Sequence, residues 1–192
     1  MENLNFVLNL LQNDNVVSVI RQEQARLLEV IPELASMIDF EHCHPHHHLN
    51  VWEHTLLALS FAKNCPKIRL ALLLHDVGKP DCYQQDGKFR HYRGHADRSA
   101  MMAKAITERL GLDENFVADI VEMVRKHDTP LCTADITANP SLARDIFEIQ
   151  KCDALAHNPM YNQKRITYIA EIRMLIEQWD RTNDSDNPPQ KM

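Results

Sequence analysis

The stretch Leu70-Ala71-Leu72-Leu73-Leu74-His75-Asp76-Val77-Gly78-Lys79-Pro80 constrains this chain more than any other. Its first half is apolar on every side and uses Leu and Ala rather than β-branched residues, which predicts a fully buried helix and not a strand. That helix delivers His75 and Asp76 to a buried end. An isolated carboxylate in such a place costs several kcal/mol unless a proton, a partner cation or a metal offsets the cost. Gly78 and Pro80 are expected to stop the helix and leave Lys79 free to reach whatever occupies that end.

With 192 residues, one domain with a sizeable core is expected and two full domains are not. Hydrophobic residues at 44% and charged residues at 25% exclude wholesale disorder. No apolar run approaches the roughly 18 residues of a membrane span. The start, with Glu2 and no basic cluster, does not read as a secretory signal, so a cytoplasmic location is expected. The five cysteines (Cys43, Cys65, Cys82, Cys132, Cys152) never form a C-x-x-C pair, which points to reduced thiols. A net charge of −6 with neutral histidines argues against broad contact with duplex nucleic acid, whereas a small anionic substrate is easier to accommodate. Eleven histidines are the unusual feature, since imidazole is the commonest metal ligand.

Only four glycines, and long segments of 3.6-residue period punctuated by Pro and Asn, predict an all-α fold. Helices are expected from about Asn3 to Leu11, Val16 to Val30 and Pro32 to Ile38. Others run from Asn50 to about Lys63, from His95 to Leu110, from Asp113 to Lys126, from Pro140 to about Asn158, and from Gln163 to Trp179. Residues 83–92, with Asp86-Gly87 between polar-aromatic arms, read as a small hairpin or extended loop. Residues 1–27 are expected to be a helical scaffold packed on a domain of residues 28–180, with a flexible tail at 181–192.

Several ionisable residues fall where a core is expected. His54 shares an apolar helical stripe with Val51, Leu57, Ala58 and Phe61, where a lone histidine is usually a satisfied core residue. His95 opens a helix, and His127 closes one, a place where it could simply complement the helix dipole. Asp153 lies on the stripe of Ile146 and Ile149 and needs a cation from elsewhere. His157 shares that face, either as support for the site or as helix-end surface. The tract Glu41–His48 reads as a solvated loop with one or two histidines leaning over a site.

The order His54…His75-Asp76…Asp153 resembles the HD-domain superfamily of metal-dependent phosphohydrolases. The piece His46–Leu56, the run Ile31–Leu34, and Gly94-His95 with Ser99-Ala100 are similar to the HD portion of bacterial tRNA nucleotidyltransferases, the CCA-adding enzymes. Asn50 departs from the Asp that those relatives often carry. The chain also shows no nucleotidyltransferase head, so nucleotide addition is not implied.

The resemblance implies a helical HD bundle with a four-ligand core of His54, His75, Asp76 and Asp153 around one divalent ion. His95 and His127 are expected to hold a second ion with Asp76 as bridge, or, in a one-metal site, to bind substrate phosphate. Mixed imidazole and carboxylate donors suit Fe, Mn, Co, Ni or Zn more than Mg. The expected activity is hydrolysis of a phosphomonoester or phosphodiester of a nucleotide-like substrate by a metal-activated water. Asp76 would ligate or bridge and take the water's proton. Lys79 would neutralise developing phosphate charge, unless it is a solvated helix-end cation. Arg93 and His47 are further candidates for phosphate contact. The rival expectation is a non-catalytic nucleotide- or RNA-binding regulatory module of the same fold.

Overall fold

The structure is a computed structural model and describes residues 1–185. Eleven α-helices and one 3-10 helix are present among these residues: α1 (Glu2–Gln12), α2 (Val16–Gln22), α3 (Gln24–Val30), a 3-10 helix (Pro32–Met37), α4 (Val51–Ser60), α5 (Pro66–Leu74), α6 (Lys79–Cys82), α7 (His95–Leu110), α8 (Glu114–Lys126), α9 (Thr133–Ala138), α10 (Pro140–Ala156) and α11 (Gln163–Ser185). The sheet content is the hairpin of β1 (Gln84–Asp86) and β2 (Phe89–His91), paired antiparallel with Gln85 opposite Arg90. Gly87 takes the left-handed conformation that the turn requires. This is the expected all-α bundle with a small hairpin.

The bundle is built around α5. Every residue from Ile68 to Leu74 is buried, and α1, α4, α7, α8 and α10 pack on it. A helix covered on all sides needs no polar face, which explains the Leu-Ala composition. Its one buried cation, Arg69, donates to the carbonyls of Leu11 and Asn13 at 2.7 and 2.8 Å, tying the end of α1 to the centre. Three of the helices that pack around the site start on side-chain caps. Asn50 accepts from Glu53 N, Asp113 from Phe116 N, and Asn139 from Leu142 N.

Four local expectations are corrected. The helix expected over Val16–Val30 bends at Glu23, so that Val16, Ile20 and Leu27 all reach the core while Gln24 accepts from Trp52 Nε1. Gly78 and Pro80 do not leave Lys79 at a free end: α5 ends at Leu74, and after one turn Pro80 lies in the first turn of α6 and Lys79 is buried. The segment after Pro130 contains α9, which its sequence period did not announce. The last helix runs past its expected end at Trp179 to Ser185, and the remainder of the expected tail at 181–192 lies outside the described residues.

Gly78 sets the spacing between α6 and α7. A Cβ at this position would meet Ser99 N at 2.6 Å, and Gly78 N donates to Ser99 Oγ at 2.9 Å. The turn carrying His75 and Asp76 is thereby seated against the start of α7, which carries His95.

Candidate metal centre

Helices from both halves of the chain converge with the turn that follows α5. α4 supplies His54; the turn supplies His75 and Asp76; α6 supplies Lys79; α7 opens with His95; α8 ends at His127; and the last turn of α10 carries Asp153, followed by His157. All of these side chains are buried except His95, which is partly covered. Asp76 and His75 are 0% exposed, the depth at which an uncompensated charge is untenable.

Asp76 divides its two oxygens between two sets of imidazoles. Oδ2 lies 3.2 Å from His75 Nε2 and 3.8 Å from His54 Nε2; Oδ1 lies 3.5 Å from His95 Nε2 and 3.6 Å from His127 Nε2. Asp153 Oδ1 completes the first set, 2.9 Å from His54 Nε2 and 3.7 Å from His75 Nε2. His157 Nδ1 is 3.6 Å from the same oxygen.

The far side of each ring explains what the near side lacks. Nδ1 of His75, His95 and His127 donates to the carbonyls of Leu72, Tyr92 and Val124 at 2.6, 2.8 and 2.7 Å; His54 faces an acceptor at each nitrogen, Ala156 O at 3.3 Å from Nδ1 and Asp153 Oδ1 at 2.9 Å from Nε2. A neutral imidazole with Nδ1–H committed to a carbonyl presents an Nε2 lone pair. Lone pairs therefore face carboxylate oxygens and one another: His95 Nε2 and His127 Nε2 are 3.2 Å apart. Both oxygens of Asp76 and Nε2 of His75 have no hydrogen-bond partner. A buried set of acceptors facing acceptors is stable only around protons or a cation, and the ring-to-carbonyl anchoring is the pattern of metal-ligating histidines. The donors thus fit a divalent metal. Three sets could each hold one: His54, His75 and Asp76; Asp76, His95 and His127; and His54, Asp153 and His157.

The electrostatics carry the same demand. Burial pushes the Asp76 carboxyl up, but His75 and Lys79 outweigh burial and hold it well below the usual carboxylate range. Burial likewise opposes ionisation of Asp153, and His157 and His54 outweigh it. Burial lowers His75, yet the Asp76 and Asp153 carboxylates win and push it up to about 10. The proton so favoured sits where a metal ion would be attracted. His127 and His157 are each lowered to about 4, chiefly by burial.

Lys79 Nζ lies 2.7 Å from Asp76 Oδ2, close enough for an ion pair but off the line of a hydrogen bond. Arg93 stands further out: it is exposed, lines the cavity over the centre, and has no ion pair or hydrogen bond among the described residues. His47 lines the same cavity, its ring 4.9 Å from that of His54 and its buried Nδ1 without a partner. The cavity measures about 460 Å³ and is rimmed by the four cations Lys79, Arg90, Arg93 and Arg165, set among Asp97, Asp128, Asp153 and several histidines.

Three residues were missed or undervalued in the sequence. Arg165 pairs with Asp128 at 2.9 Å and approaches Asp153 Oδ2 at 3.5 Å; it reads as an ordinary polar residue in the first turn of α11. His42, in the tract whose sequence reads as a solvated loop, is 1% exposed. His157 is buried and not helix-end surface, its Nδ1 donating to Asp153 O at 2.8 Å. The i to i+4 spacing of Asp153 and His157 was the available signal.

Residues 46–171 match the HD domain family, most of the chain and all of the converging residues. The chain belongs to the HD-domain family. Among curated HD-domain relatives it is similar to the CC-adding tRNA nucleotidyltransferase of Thermus thermophilus, 40% identical over 114 residues that cover 55% of this chain and 26% of the relative. It is also similar to the Multifunctional CCA protein of an Azoarcus species, 29% identical over 134 residues, 67% of this chain and 31% of the relative. The chain therefore spans between about a quarter and a third of the length of these relatives. Their matching segment is the HD portion, as its motifs implied. No helix among the described residues is long and apolar enough to cross a membrane.

Proposed function

We propose that this HD domain is a metal-dependent phosphohydrolase that cleaves a phosphomonoester or phosphodiester of a nucleotide-like substrate. The observation that carries the reading is the orphaned, fully buried Asp76 carboxylate shared between two imidazole pairs whose outer nitrogens are already committed. His54, His75, Asp76 and Asp153 would hold one divalent ion, and His95 and His127 a second with Asp76 as bridge. Bound there, such ions polarise a phosphoryl oxygen and acidify a water molecule. The many nitrogen donors favour Fe, Mn, Co, Ni or Zn over Mg.

The chain's own groups supply the rest. Held well below the usual carboxylate range, Asp76 suits the part of ligand and bridge better than that of proton acceptor. Lys79 neutralises charge developing on the phosphoryl oxygens. Arg93 and His47 meet the substrate's outer oxygens, and the cationic rim concentrates an anionic substrate although the chain as a whole carries −6.

The test is metal analysis of purified protein, followed by turnover of aryl phosphodiester, aryl phosphomonoester and nucleotide probes with manganese, cobalt, nickel or zinc. Metal-dependent turnover in the wild type, lost together with metal content in Asp76→Ala, is the expected result. Nucleotide binding without product across all metals would instead identify a non-catalytic binding module.

A further inference from the structure

We propose that His42 is a positioning residue for Lys79, holding the ammonium on the cavity side of Asp76. The inference rests on the phosphohydrolase reading for its kinetic consequence, but its geometry stands alone.

Lys79 is 5% exposed, so its three N–H donors must find partners inside the protein. Asp76 Oδ2 at 2.7 Å supplies the opposite charge without an aligned hydrogen bond, and His42 Nε2 at 3.2 Å is the hydrogen-bond acceptor of the ammonium among the described residues. The face of Tyr92 lies 5.6 Å from Nζ and closes a third side. Asp76 cannot hold the lysine by itself once that carboxylate shares its charge with a metal ion, because the ion then repels the ammonium. An uncharged acceptor on the opposite side solves this. His42 is built as one: its Nδ1 faces the Leu49 carbonyl at 2.8 Å, and a carbonyl accepts only, so Nδ1 carries the proton and Nε2 presents its lone pair to Lys79.

The ring's face and the residue's backbone are held as well. His47 stacks on it with centroids 3.7 Å apart and planes within 5°, and Tyr92 Oη donates to the His42 carbonyl at 2.6 Å. A histidine retained only to fill the loop would have no reason to aim a lone pair at a buried ammonium. Its sequence neighbourhood hid this, because His42 opens a tract of polar residues with no apolar period.

The experiment compares metal-loaded full-length wild type, His42→Phe, His42→Gln, Lys79→Ala and the His42→Phe/Lys79→Ala double variant, on whichever phosphoester probe the wild type turns over. His42→Phe is expected to lower kcat by about 10–100-fold, the usual effect of losing a group that orients a site residue. Glutamine, whose amide accepts from Lys79 and donates to Leu49, is expected to recover most of it. In the Lys79→Ala background His42→Phe should cost less than about two-fold further. Wild-type rates in His42→Phe, or losses that multiply in the double variant, overturn the proposal. If phenylalanine prevents folding, His42→Met, which fills the volume without an acceptor, takes its place. If the wild type turns over no probe, the phosphohydrolase reading fails by itself. Crystal structures then decide the positioning: Lys79 Nζ displaced in the variant supports it, and Nζ unmoved overturns it.

Discussion

A carboxylate that offers one oxygen to His54 and His75 and the other to His95 and His127 is a junction, and substitutions around it should separate two roles. Removal of a group that stabilises transition-state charge typically costs about 10²–10³ in kcat. We expect that loss for Lys79→Ala with metal content unchanged, measured by initial rates beside elemental analysis; a loss of metal would assign Lys79 to the binding of the ion. A pH prediction concerns the metal-stripped protein. Burial first, then Lys79 with His54 beside it, lowers His42 to about 2 against the opposing pull of Asp76. Burial first, then Arg165 and His54, lowers His157 to about 4 against the pull of Asp153. Both fold as neutral rings, so the unfolded chain takes up more protons below its ordinary imidazole pKa. Their contribution is complete above about pH 6.5 and is lost as pH falls toward 4, by on the order of 5 kcal/mol for the two together. Urea unfolding at a series of pH values checks it; a flat profile down to the carboxylate range would contradict it. At this scale the six residues of the centre were legible because acids and histidines on apolar stripes are conspicuous. His42 and Arg165 were not legible, since nothing local in the sequence shows that a loop histidine reaches Lys79 or that α11 returns to Asp153.

The elements place these groups through their ends, and the close approach of α6 to α7 at Gly78 is the tightest of the constraints. Adding a methyl there sets it 2.6 Å from a backbone nitrogen, which no rotamer change relieves. Overpacking of this kind costs about 1–3 kcal/mol. Gly78→Ala should therefore lower the urea midpoint and also reduce turnover, because it shifts the turn holding Asp76 relative to His95. A variant stable and active at wild-type level would show that α6 yields. At an N-cap, Asn139→Ala should cost about 1 kcal/mol with little change in activity, since α10 is anchored by Ile146, Ile149 and Cys152 in the core. The helices with caps and strong periods were readable from sequence within a few residues. The bend at Glu23 and helix α9 were not, because both answer to packing partners: Trp52 for the first, and the Cys132–Asp135 cap and buried Ile136 for the second.

For the whole molecule, a ligand that binds only the folded chain stabilises it by mass action, about 2.7 kcal/mol when present at a hundred times its dissociation constant. Chelation should thus lower the melting temperature by roughly 5–10 °C, recoverable on adding back manganese or nickel. An unchanged melting temperature would speak against a metal in the core. The cation-rimmed cavity on a chain of net −6 further predicts that KM for an anionic probe rises severalfold between about 0.05 and 0.5 M salt while kcat holds. Fold class and family were legible at this scale, whereas the cavity's cationic rim, assembled from β2, the loop after it and α11, required the fold. His75, His95 and His127 each lean on the carbonyl three positions earlier in their own chain segment. Their aim is therefore written into single turns of the chain and does not depend on an occupant. Such a socket loses its guest and accepts another without rebuilding itself, so the choice among chemically similar guests falls to their abundance and exchange rates.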